Sequence, residues 1–210
     1  MTMLFWTAGL ILAAVFIFRL LRYLSTPLLR SMGFYKYYSP MFCTMPFINN
    51  QLDIHLGTSW DFFRAGKLTP RKILLYLAEG LYNLNKAIQN GEVDGNKMLR
   101  GNVFYLKRET FEKFGFTARK LNTFEFILFL LNYIELCILQ SISMRKLTFI
   151  SFRNLTILTI KAKDLNNYSM RLESVFNQLK KERPEIKTAE KRVKKSQILQ
   201  PENVELVLND

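Results

Sequence analysis

The sequence predicts an α+β protein: an N-terminal transmembrane helix followed by one small domain with β-hairpins and about three helices. Three observations predict it. Residues 3–18, MLFWTAGLILAAVFIF, carry no charge. Further along, short apolar runs are bounded by Asn, Gly and Pro, the punctuation of hairpins. Between them lie longer runs whose apolar residues recur every three or four positions, the period of an amphipathic helix. The 210-residue chain is 49% hydrophobic, which is enough for one sizeable core.

The first run would extend roughly 24 Å as a helix, slightly less than a hydrocarbon core of about 30 Å. Arg19 can snorkel, so Leu20 and Leu21 lengthen the span. Trp6 and Tyr23 suit the two interfaces. A cleaved signal peptide would need a basic start and a small-x-small site, and neither is present. A core helix apolar on every face is hard to bury in a small domain. Arg19, Arg22, Arg30 and Lys36 follow the run, and no basic residue precedes it. The positive-inside rule then puts the N-terminus outside and the remainder in the cytoplasm, at the inner (plasma) membrane. The expected organisation is an anchor at 1–22, a basic aromatic juxtamembrane segment at 23–40, an α+β domain at 41–182 and a charged, disordered tail at 183–210.

Within the domain, MFCTMPFI and QLDIHL flank Asn49-Asn50, which predicts a hairpin, with Pro46 placing the first strand at an edge. Thr69, Pro70 and Gly91 bracket a helix striped by Leu74, Leu77, Leu81, Leu84 and Ile88. GNVFYLK reads as a strand, TFEKF as a helical turn closed by Gly115, and FTARKL as another strand. Residues 123–143 are long enough to cross a bilayer, yet hold Glu125, Asn132 and Glu135. Acids facing lipid would cost about 2.5 to 3.5 kcal/mol each near the centre of a span, so a buried or membrane-surface helix is expected. Glu135, if buried, requires an Arg or Lys partner. RKLTFISF and NLTILTIKA predict a second hairpin turning at Arg153-Asn154, and Leu165, Tyr168, Leu172, Val175 and Leu179 mark a last helix.

The chain's one histidine, His55, lies in DIHLGTSWDFF. As one extended strand this segment puts Ser59 roughly 13 Å from His55, which excludes a nucleophile–base pair. A strand ending at Gly57 fits better, because Thr58-Ser59-Trp60-Asp61 matches a helix capping box. The candidate catalytic residues are His55, Ser59 and Asp61. The candidate ligand-binding residues are Gly57, Thr58, Arg64 and Arg100, where backbone amides and guanidiniums meet an anion. The competing structural reading has Asp61 already occupying those amides.

Two separated cysteines and one histidine offer no zinc set, and no cofactor motif occurs, so no metal or cofactor is expected. The net charge of +13 fits anionic partners, but no nucleic-acid signature accompanies it. Membrane lipids, met through residues 3–23 and the basic flank, are the expected partner, together with a protein partner. The leading expectation is a single-pass, membrane-anchored protein with no catalytic signature, whose cytoplasmic domain binds a partner or an anionic ligand at the membrane surface. The alternative is a membrane-associated enzyme acting on a lipid or anionic metabolite, with His55 as acid/base.

Overall fold

A computed structural model describes residues 2–47, 50–103, 106–152 and 155–181. These residues form an α+β fold with seven α-helices and a mixed six-stranded sheet. The tail expected from 183 onward and the turn expected at Arg153-Asn154 lie outside the described residues. Helix α1 runs from Thr2 to Ser31, well past the expected anchor boundary at 22. Strands β1 (Lys36–Ser39), β2 (Phe42–Phe47) and β3 (Gln51–His55) follow as an antiparallel meander, so the sheet begins before residue 41. The β2–β3 hairpin is the expected one, and Asn50 takes the left-handed conformation its turn requires, at φ 58°. Strand β2 is not an edge strand, because β1 covers it. That cover reaches only as far as Thr44, so Pro46 lacks a neighbour on that side and its missing N–H costs no ladder bond.

Helices α2 (Ser59–Arg64) and α3 (Pro70–Gln89) carry the chain from β3 to the parallel strand β4 (Met98–Val103). A parallel pair needs such a helical crossover, whereas hairpins do not. Helix α4 (Arg108–Glu112), β5 (Thr117–Arg119), α5 (Thr123–Met144), β6 (Thr156–Lys161), α6 (Ala162–Leu165), a 3-10 turn and α7 (Ser169–Lys181) complete the fold. The sheet order is β1-β2-β3-β4-β6-β5. The expected second hairpin does not form, because β6 pairs with β4 and β5 instead. Residues 146–152 are spent on α5: Ile150 is buried in a cluster with Phe129 and Cys137, and Phe152 stacks on Tyr133 at 4.7 Å.

The two faces of the sheet differ. Phe42, Leu52, Leu99, Val103, Leu158 and Ile160 face the core, where Leu77, Leu81, Leu84 and Ile88 of α3 meet them. Helix α7 adds Leu172 and stacks Phe176 on Tyr82. Gly80 sits inside α3, where glycine costs about 1 kcal/mol relative to alanine. It is there because a Cβ would lie 2.2 Å from the Phe42 ring. The opposite face carries Tyr37, Cys43, Asp53, His55 and Arg100, by the alternation and register of β1 to β4.

Among the described residues, the helix long and apolar enough to cross a membrane by length and composition is α5, an internal element. Cys43 and Cys137 are both buried and unbonded.

Candidate functional site

Strand β3 ends at His55, and Gly57 turns the chain at φ +71°. A Cβ at Gly57 would also approach Asp61 Cβ and Met41 Cε to 3.2 Å, so both backbone and space call for glycine. Thr58 then caps α2, and Asp61 is its third residue, as the capping pattern predicts. The Asp61 carboxylate accepts from the Thr58 N–H and the Thr58 hydroxyl, each at 2.8 Å. It also accepts from the Tyr37 hydroxyl at 2.6 Å and from Arg30 at 3.0 Å. The side chain is 5% exposed. All four partners are donors, so the position demands an acceptor-only group. Burial and the bond to Asp61 push the Tyr37 phenol well above its ordinary range.

Ser59 does not approach His55 through a hydrogen bond; its hydroxyl donates to Glu135 of α5 at 3.1 Å. Glu135 in turn pairs with Arg19, and with Arg22 at 3.1 Å, so the cation its place in the apolar run demands comes from α1. Arg19 also bonds Asn132 Oδ1 at 3.2 Å and the Leu131 carbonyl. Trp60 stacks on Tyr23 of α1 at 4.5 Å, and its indole N–H donates to the Tyr23 carbonyl at 2.9 Å. That carbonyl is free for a specific reason. Its intrahelical donor would be residue 27, which is Pro27 and has no N–H. Arg64 lies 5.8 Å from the Trp60 ring centroid.

His55 pairs across the sheet with Cys43. Its Nε2 is enclosed and has no hydrogen-bond partner among the described residues. Burial, helped by the charge of Arg22, lowers its pKa to about 4, so the imidazole is neutral at pH 7. Burial raises the Cys43 thiol to about 12, so it is no thiolate. Arg100 belongs to a separate cluster. It lies opposite Asp53 in the β3–β4 register, bonds Glu125 at 3.1 Å and packs over Phe47. Arg119 also bonds Glu125 and, chiefly through that bond, holds the Glu125 carboxyl down to about 2.

The structure thus gathers Gly57, Thr58, Ser59 and Asp61 at one place, and sets Arg100 apart. The arrangement is a joint: α2 is fastened to α1 by Arg30 and Tyr23, to β1 by Tyr37, and to α5 by Glu135. Sequence reasoning missed Arg30, Tyr37, Tyr23 and Arg19 as members. Glu135 was the readable signal, since a carboxylate in an apolar run needs a partner; Pro27 becomes one only because α1 continues past it to Ser31. No protein-family model, curated protein or solved structure matches the chain significantly.

Proposed function

We propose that this chain is a single-pass membrane protein, anchored by α1 with its N-terminus outside, whose α+β domain sits at the cytoplasmic membrane surface and binds a protein partner or an anionic ligand there. The observation that carries the reading is the apolar surface of α1. Met3, Phe5, Trp6, Leu10, Phe16 and Phe18 are each more than 60% exposed. Water is a poor solvent for a continuous apolar helix, and lipid a good one. The polar joint begins at Arg19, where the apolar run ends. There two guanidiniums share the one carboxylate of Glu135, which leaves positive charge at the level of the headgroups. Arg64, Lys67, Arg71 and Lys72 add cations close to the joint in sequence.

Reporter fusions in intact cells test this. Alkaline phosphatase, which is active only outside the cytoplasm, should be active on the N-terminus and silent on the C-terminus. The reverse pattern, or release of the chain from membranes by alkaline carbonate, refutes the reading.

A second reading is a membrane-associated enzyme using His55 as acid/base. One observation favours it: the enclosed Nε2, which has no hydrogen-bond partner among the described residues. Against it, Ser59 and Asp61 are engaged by Glu135, Arg30, Tyr37 and Thr58. Assaying His55→Ala separates the two. Loss of function in a chain that remains folded supports the enzyme, and a change confined to stability sinks it.

A further inference from the structure

We infer that α5 is a second membrane contact: it lies in the plane of the cytoplasmic leaflet, beside the end of the apolar run of α1, with its outer face seated in lipid. The inference rests on the reading of α1 as an anchor and adds a surface to it. Three observations carry it.

The first is an apolar face that none of the described residues covers. Ile127, Leu131, Ile134, Ile138 and Ile142 recur at spacings of four, three, four and four, which is one stripe of a helix. All are exposed, Ile134 by 71%. Leu147 and Phe149, just beyond the helix, extend the stripe and are at least 70% exposed.

The second concerns the ends of α5. A helix that crosses a bilayer has its ends on opposite sides. Here both ends are held by one body. At the start, Glu125 bonds Arg100 of β4 and Arg119 of β5. At the end, the Ser143 carbonyl accepts from the Leu68 N–H at 2.9 Å, immediately before α3. Strands β4 and β5 and helix α3 share one core. The helix therefore meets the membrane along its side, although its length and composition would allow a crossing.

The third fixes its depth. Glu135, at the middle of α5 and on the flank of the stripe, pairs with Arg19 and Arg22. Those are the first charges after the apolar run of α1, so they mark the headgroup level. The middle of α5 is thereby held at that level. Arg119 and Lys120 precede the helix, Arg145 and Lys146 follow it, and all four are exposed. An apolar stripe with cations at both ends is the pattern of an interfacial helix on anionic lipid.

The test uses the full chain reconstituted in vesicles of phosphatidylethanolamine and phosphatidylglycerol. The photoreactive residue p-benzoyl-phenylalanine replaces Phe16, Ile134 or Met170 in turn, each an exposed position where the fold is not at stake. After illumination, lipid adducts are read by mass spectrometry. Adducts at Phe16 and Ile134, with none at Met170 on α7, are the expected result. Adducts at Phe16 but none at Ile134, or adducts at Ile134 only to protein, overturn the in-plane helix and leave the anchor standing. Equal adducts at Ile134 and Met170 also overturn it. No lipid adduct at Phe16 overturns the anchor, and the in-plane helix with it.

Discussion

The bond from Trp60 to the Tyr23 carbonyl is open to a double-mutant cycle, because the structure says why that carbonyl is available. Pro27 supplies no N–H, so α1 cannot satisfy Tyr23 from within. Trp60→Phe keeps an aromatic ring against Tyr23 but removes the indole donor. Losing a hydrogen bond of this kind costs about 0.5 to 1.5 kcal/mol net, and more where the abandoned carbonyl is shielded from water. The smaller ring forfeits roughly 0.5 kcal/mol of contact. The expected total is about 1.5 kcal/mol. In a Pro27→Ala background the amide of residue 27 can reach the Tyr23 carbonyl. Trp60→Phe should then cost about 0.5 kcal/mol, leaving a coupling of about 1 kcal/mol. Thermal unfolding of the full chain in detergent micelles reads this as a Tm loss of about 3 to 6 °C in the parent background and about 1 to 2 °C in the Pro27→Ala background. Pro27→Ala alone should raise Tm, since proline inside a helix costs about 3 kcal/mol and only one tertiary bond is at risk. An equal penalty for Trp60→Phe in both backgrounds refutes the reasoning. It would mean that Trp60 acts by packing alone and that the proline has no part in the joint.

The other predictions concern single positions. Asp61→Asn should destabilise by about 3 kcal/mol, nearly as much as Asp61→Ala, because an amide presents a donor where all four neighbours are donors; urea denaturation in which Asn is neutral would show that the acceptor count is irrelevant. Gly80→Ala should lower stability by about 2 kcal/mol, despite the better helix propensity of alanine, and Phe42→Leu should recover part of that loss by vacating the clash; a stabilised Gly80→Ala protein contradicts the close approach of α3 to β2. His55 has a folded pKa of about 4 against about 6.5 unfolded, so its neutral form contributes stability above pH 6.5 that is lost as pH falls towards 4. Between pH 7 and pH 5 the parent chain should lose about 2 kcal/mol more than His55→Gln, and parallel pH profiles for the two proteins would refute the burial of a neutral imidazole.

Local rules and tertiary contacts answered different questions in this chain. Thr58 to Asp61 as a capped helix start, Thr69-Pro70 as the opening of α3 and Asn50 at a hairpin turn all follow from backbone groups satisfied within a few residues, and each could be read from the sequence alone. Residues 146–152 could not, because their alternating apolar pattern suits a strand as well as an extended segment packed on α5, and only the position of β4 and β5 decides which one β6 joins. The membership of the candidate site was illegible for a related reason. His55, Ser59 and Asp61 were grouped because they are neighbours in the chain, yet beyond the local Thr58 the partners of Asp61 lie 31 and 24 residues away and that of Ser59 lies 76 away. Two needs went unmet locally: a carboxylate, Glu135, inside an apolar run, visible in the sequence, and a carbonyl four residues before Pro27, orphaned because α1 continues to Ser31. Each need is physically certain to be met or to exact a penalty, and neither names its partner. Both are met at the same joint, by Trp60 for the carbonyl and by Arg19 and Arg22 for the carboxylate. Helix α1, α2 and α5 are therefore fixed to one another at the point where the apolar run of α1 stops. A joint placed there ties the orientation of the whole sheet to the direction of α1, so a change in that direction has a stiff path into the domain.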